Sequence, residues 1–260
     1  ETLYALRAFP IGGFCAMEGE DEESGEKRAY CNKPVWQRIL VVIAGPMMNL
    51  LLGFLVLIIV VTSQPLNGSN VIAKFNEGST SNQYGLQIGD EIRSINGFGV
   101  MVDTDIVYAL LRAKDGIADM TVSRNGQIVN LNDVKFATTT VDDKTQINID
   151  FKVKAVEKNF LNVMQQSWYK TLSYAKTIWV SLTDIVTGNV GINEMSGPVG
   201  AGEVISQTIQ LGWTSVLNIA AFISINVAIF NLLPFPALDG WRFFVLIIES
   251  IRRKPINRKY

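Results

Sequence analysis

Charged residues are spread unevenly along this chain, and the gaps between them define its parts. No charge falls between Arg38 and Lys74, and residues 39–62, 24 in a row, are the strongly apolar part of that gap; residues 204–238 are 35 in a row without a charge. A hydrocarbon core takes about 20 apolar residues of helix, so each run is long enough to cross a bilayer. Trp36, Arg38 and Lys33 stand at the start of the first run, an interfacial aromatic with cations beside it. Arg252, Arg253 and Lys254 follow the second. Cations collect on the cytoplasmic side, so both outer ends are expected there and everything between the runs outside. The pattern predicts a transmembrane helix over 36–63, a second and interrupted one over 204–251, and a basic cytoplasmic tail over 252–260.

The interruption is Leu232-Leu233-Pro234-Phe235-Pro236-Ala237-Leu238-Asp239-Gly240. Each proline lacks an amide proton and disfavours helix at the residue before it, so the helix is expected to break near Leu233 and restart near Asp239. Broken backbone at membrane depth survives only where protein or trapped water satisfies it. A carboxylate there is costly and normally faces a partner, a cavity or a metal. Asp is also a good helix N-cap, and that plainer role for Asp239 stays open.

Between the runs, residues 64–157 alternate like a soluble β-rich insert. Strands are expected at 70–75, 120–123, 128–131 and 151–156, with a turn, a strand and a further turn over 89–97, a short helix at 79–86, and a helix over 103–114 with apolar Ile106, Val107, Leu110 and Leu111 at helical spacing. Asn125-Gly126 accepts the positive φ values of a type I′ turn and marks a hairpin. Residues 158–203 follow: a stretch with Trp168, Tyr169 and Trp179 that reads as an amphipathic helix lying on the outer membrane face, then a Gly-rich loop. A third span is the alternative for that helix.

Residues 1–35 hold a turn signal, Pro10-Ile11-Gly12-Gly13, which predicts a β-hairpin, and an aperiodic charge run over 18–33 that reads as a solvated loop. The chain opens without a signal peptide and reads as a fragment.

Composition narrows the function. Mean hydropathy is +0.22, too apolar for an ordinary soluble domain and too polar for a pure helical bundle, which fits spans plus an insert. Net charge is −1, so nothing points to nucleic acid. Cys15 and Cys31 do not make a disulfide framework. There is no histidine.

Several strings resemble one family. Asn231-Leu-Leu-Pro-Phe-Pro-Ala-Leu-Asp239-Gly240, Gly45-Pro46-Met47-Met48-Asn49 and Ser196-Gly-Pro-Val-Gly200 resemble the bacterial site-2 proteases, zinc metalloproteases that cut within membranes, the first two strings most specifically; between them, Gly89-Asp-Glu-Ile-Arg-Ser-Ile-Asn-Gly97 resembles a PDZ domain. The resemblance implies a membrane α-helical protein with an inserted PDZ-like (β-rich, α+β) extracytoplasmic domain, multi-pass in the cell membrane. It makes 1–35 a cytoplasmic-side re-entrant β-hairpin with its charged loop.

It also implies Zn²⁺, with Asp239 as a metal ligand and Asn226, Asn231 and Pro234 lining the substrate cleft. Asn49 would steady the site helices or simply make a packing contact. The implied partners are a transmembrane protein or peptide substrate, of anti-sigma-factor or signal-peptide type, and the lipid bilayer. The family's His-Glu-x-x-His helix, two ligands and the general base, is absent here, so no catalytic residue is present in these 260 residues. The bulky Trp241 departs from the small residue usual after Asp-Gly. Two further readings stay open: a non-enzymatic membrane scaffold displaying a PDZ-like domain, and a transporter fragment that uses a broken helix and a carboxylate for ion coupling.

Overall fold

The 24-residue uncharged run becomes one helix, α1 (Val35–Ser63), launched by Pro34, whose carbonyl accepts from the amides of Gln37 and Arg38. Pro46 lies inside it and cannot donate the helical hydrogen bond to the Val42 carbonyl, a break that spanning helices tolerate through local adjustment of the backbone. This computed structural model describes residues 5, 15–20, 24–113, 116–141, 144–188, 206–236 and 238–252, with no side-chain detail over 140–146. The expected hairpin at Pro10–Gly13 and the Ser196–Gly200 loop lie outside the described residues. The chain divides into two compact units, residues 48–229 and residues 1–47 with 230–260.

The larger unit holds the β domain. Its strands are β1 (Asn67–Phe75), β2 (Glu91–Ile95), β3 (Phe98–Gly99), β4 (Ile117–Arg124), β5 (Gln127–Lys135), β6 (Thr138–Val141), β7 (Lys144–Ile147) and β8 (Phe151–Val156). The main sheet is antiparallel in the order β5-β4-β2-β1-β8, with β3 on β2; β6 and β7 form a separate hairpin. Ile72, Ile92, Ile95, Met120, Val122 and Phe151 form its core with Ile106 and Leu110 of helix α2 (Asp103–Leu111). The β4–β5 turn has φ of 51° at Asn125 and 80° at Gly126, as a type I′ turn requires. Asn96 and Gly97 make a second positive-φ pair between β2 and β3. The β6–β7 hairpin escaped the pattern analysis because Thr138–Val141 has no apolar alternation to betray it.

Asp90 and Asp150 hold this domain together. Arg124 grips Asp90 with both arms, Nε to Oδ1 at 2.7 Å and Nη2 to Oδ2 at 2.8 Å, and also donates to the Gly85 carbonyl. The adjoining carboxylate raises the Arg124 pKa above the usual arginine value. Asp150 accepts from the amides of Thr80 and Ser81 and from the Ser81 hydroxyl, capping the short helical turn Ser81–Tyr84. Asp90, part of one of the recognised strings, is therefore a fold-holding group.

Helix α3 (Phe160–Thr187) begins at Asn159, whose side chain accepts from the Asn162 amide, and ends at Gly188 with φ 75°. Its polar stripe lies against α2 rather than water. Ser173 Oγ donates to Asp105 Oδ1 at 2.7 Å, and Lys176 Nζ sits 3.1 Å from the same oxygen. Tyr108 bonds Ser181, and Arg112 pairs with Asp184, which raises the guanidinium pKa. Its apolar stripe, Tyr174, Ile178 and Leu182, joins Leu57 of α1 with Ala221 and Ile225 of helix α4 (Trp213–Asn231). Gly53 makes the α1–α4 approach possible: a Cβ there would lie 2.6 Å from Ile225 Cγ1. Ser224 Oγ donates to the Asn49 carbonyl in the same contact.

α1 and α4 are both long and apolar enough to cross a membrane. Leu40, Met48, Leu52, Leu55 and Ile59 are about half exposed along α1, far more than a soluble core helix would leave bare. This is a membrane protein carrying a β-rich domain.

Candidate metal and substrate site

The second uncharged run does break at its prolines. α4 ends at Asn231 and helix α5 (Asp239–Arg252) starts at Asp239, within two residues of the positions the prolines dictate. The segment between them is tied by short-range bonds: Leu233 N to Phe230 O, Phe235 N to Leu233 O and Leu238 N to Phe235 O. Trp241 N to Leu238 O then closes the first turn of α5.

Gly240 explains itself by crowding. It is buried, and a Cβ there would lie 2.5 Å from the Leu232 carbonyl oxygen and overlap that of Leu233. Only glycine lets α5 start so close beneath the unwound segment. The residue before it, Asp239, is thereby set at the positive end of a helix, where a carboxylate is stabilised electrostatically.

Asp239 is half-buried and faces α1 at a point without a side chain. A Cβ built on Gly45 would be 3.7 Å from Asp239 Oδ2, so the natural glycine leaves a notch beside that oxygen. Among the described residues, no hydrogen-bond donor or cation engages the carboxylate. The Gly45-Pro46-x-x-Asn49 string thus meets the acid through its glycine. Asn49 accepts from Ser224 Oγ through its backbone carbonyl, and among the described residues its carboxamide makes no hydrogen bond.

The other expected residues fall around this segment. Asn231 is the last residue of α4 and half-buried, Pro234 is exposed in the unwound segment, and Asn226 lies five residues earlier on α4, half-buried and within the larger unit. Trp241 is partly exposed and its ring lies along its own helix against Phe244, with centroids 6.3 Å apart. Its bulk is spent on the outside of α5.

Two features of this unit were not read from the sequence. Arg38, taken only as an interfacial cation, donates from Nη2 to Glu249 Oε2 at 2.8 Å, and both side chains are almost fully buried. The signal was there in Glu249, the lone acid after the apolar 243–248. The charge run is also more structured than a solvated loop. Asn32 Nδ2 donates to the carbonyls of Ser24 and Glu26, both at 2.8 Å, Ala29 is buried, and Glu20 pairs with Arg242 of α5.

Zinc takes carboxylate oxygen, imidazole nitrogen or thiolate, three of them from protein in a catalytic site. Asp239 is a suitable donor with space beside it. It has no companions: the sequence lacks histidine, and among the described residues no group of three or more metal-binding side chains comes together. Cys15 and Cys31 are both free thiols. This chain alone does not fit the ion; it offers one ligand.

Comparison with known proteins agrees with the motif. The family model for peptidase family M50 matches residues 1–260. The chain is 34% identical over 98% of its length to Regulator of sigma-W protease RasP of Bacillus subtilis. It is 33% identical over 98% to Zinc metalloprotease RasP of Bacillus licheniformis, and 32% identical over 89% to Zinc metalloprotease RasP of Shouchella clausii. It spans 61%, 61% and 55% of the lengths of these three relatives.

Proposed function

Because this chain belongs to peptidase family M50, we propose that the protein containing it is an intramembrane zinc endopeptidase that cuts single-pass membrane proteins within the bilayer. The observation that carries this reading is the unengaged carboxylate of Asp239 beside the Gly45 notch. An acid at membrane depth is retained for a partner, and a divalent metal satisfies it best. In this reading Asp239 is one zinc ligand, and the remaining ligands and the general base belong to parts of the protein other than these residues. Held by Asp239 together with ligands outside these residues, zinc would supply a Lewis acid and an activated water.

The chain's own residues contribute binding and orientation. Gly240 and the turns before it hold the Asp239 carboxylate at a fixed point. Asn226 and Asn231 carry carboxamides that both donate and accept, suited to the main chain of an unwound substrate, and Pro234 keeps the segment after Asn231 from continuing as helix.

The β domain is read as a PDZ-like module on the extracytoplasmic side. Its order of strand, short helical turn, strand and helix supports this, as does β8, an edge strand of the sheet among the described residues and of the kind that can receive a peptide. It acts as a gate or a peptide reader for substrates of anti-sigma-factor or signal-peptide type, with α3 at the outer membrane boundary and the chain multi-pass.

A non-enzymatic scaffold is the second reading, favoured by the absence of histidine. Zinc content and cleavage of a single-pass membrane substrate, measured on the full-length protein and on Asp239→Ala, separate the two. The protease reading expects zinc and cleavage in the wild type and loss of both in the variant. Survival of both in the variant removes Asp239 from the site, and a wild type without zinc leaves the scaffold.

A further inference from the structure

The folded N-terminal stretch and the first turns of α1 enclose a cavity of about 570 Å³ that the metal site does not use. This is within the range of small-ligand sites, roughly 300–1,000 Å³. Its polar wall carries Arg28, Lys33 and Arg38, against a single carboxylate, Glu18, which already accepts from Ser24 Oγ. Arg38 is 7% exposed, and while its Nη2 is committed to Glu249, its Nε is buried with no partner among the described residues. The other wall is apolar and includes Leu40 and Val41, which are 59% and 44% exposed on the bilayer-facing surface of α1. Trp36, 60% exposed, marks the headgroup level beside it.

We infer that this cavity binds an anionic phospholipid, its phosphate held by Arg28 and Lys33 with Arg38 behind them, and its acyl chains running along Leu40 and Val41. The ligand chemistry is a phosphate monoanion attached to hydrocarbon. Excess cationic charge selects the first part, and the apolar wall continuous with a membrane helix selects the second. A free phosphate would use the cations and leave the apolar wall bare. The inference rests on the membrane placement of α1 and not on the zinc reading.

The test is native mass spectrometry of the full-length protein released from bilayers of phosphatidylglycerol and phosphatidylcholine, counting retained lipid. Retention of phosphatidylglycerol over phosphatidylcholine is expected in the wild type. Affinity is expected to fall roughly fivefold for each cation removed in Lys33→Gln and in Arg28→Gln/Lys33→Gln. Lys152→Gln/Lys154→Gln, exposed on β8 and far in sequence, should behave as wild type. Equal retention of the two lipids by the wild type overturns the site, and needs no variant to fold. So does unchanged retention in the variants, or full displacement of phosphatidylglycerol by inorganic phosphate, which would mark a small-anion site. Zinc content plays no part in this readout, so its result and that for Asp239 stand or fall separately.

Discussion

Arg38 of α1 and Glu249 of α5 meet at 2.8 Å across 211 residues of chain, and both are nearly sealed from solvent. With Gly45 facing Asp239, this pair gives α1 and α5 an antiparallel register: one contact fixes the end of α5 nearer its cations, the other the end that bears the carboxylate. The position of Asp239 therefore depends on a salt bridge made ten residues further along α5.

Removing one half of that pair leaves a buried charge unpaired, which typically costs about 3–5 kcal/mol. Glu249→Ala is expected to lower unfolding stability in detergent by that order, and Arg38→Met/Glu249→Leu to recover most of it. A double-variant loss equal to the sum of the Glu249→Ala and Arg38→Met losses would mean the pair adds nothing as a pair.

Gly240→Ala is expected to shift the unwound segment, because its Cβ collides with the Leu232 and Leu233 carbonyls, which are backbone and cannot swing aside. Gly45→Ala meets Asp239 only at van der Waals distance and should fold normally, while weakening any metal held beside Oδ2. Thermal unfolding and zinc affinity, measured on both variants of the full-length protein, should separate in this sense: the first loses stability, the second loses only metal.

Asp105 accepts from the Met101 and Val102 amides through one oxygen and from Ser173 through the other, with Lys176 beside it. Asp105→Ala strips the start of α2 and the centre of the α2–α3 contact together. A loss of at least about 3 kcal/mol is expected, since a buried pair is broken and several amides are orphaned. Hydrogen exchange should show α3 amides opening ahead of the sheet. Protection unchanged in α3 would deny that Asp105 holds it.

In the β4–β5 turn, Gly126→Ala should cost about 1 kcal/mol, the strain of positive φ alone, since nothing lies within 4 Å of the added Cβ. Gly116→Ala should cost more. Its φ is also positive, and the Cβ would come 2.5 Å from Thr138 Cγ2 and 3.1 Å from the Phe136 carbonyl. Denaturant unfolding of the two variants gives the ranking directly.

Local chemistry settled much of this protein in advance. The long apolar run over 39–62 specifies a helix, Pro234 and Pro236 end one whatever surrounds them, and Asn125-Gly126 turns the chain on its own torsional preference. Those effects act over a few residues, so they can be read from a few residues. The β6–β7 hairpin, the folding of the charge run around Asn32, and the burial of the α3 polar stripe on α2 each depend on a partner distant in sequence. So do the pairing of Arg38 with Glu249 and the notch at Gly45. Nothing in a local window says which acid will find which base, because a buried ion pair is decided by which helices pack together and how water is excluded between them. The sequence by itself determined that an acid would follow a broken span; only the tertiary structure decided that this acid faces a glycine and has room for something else.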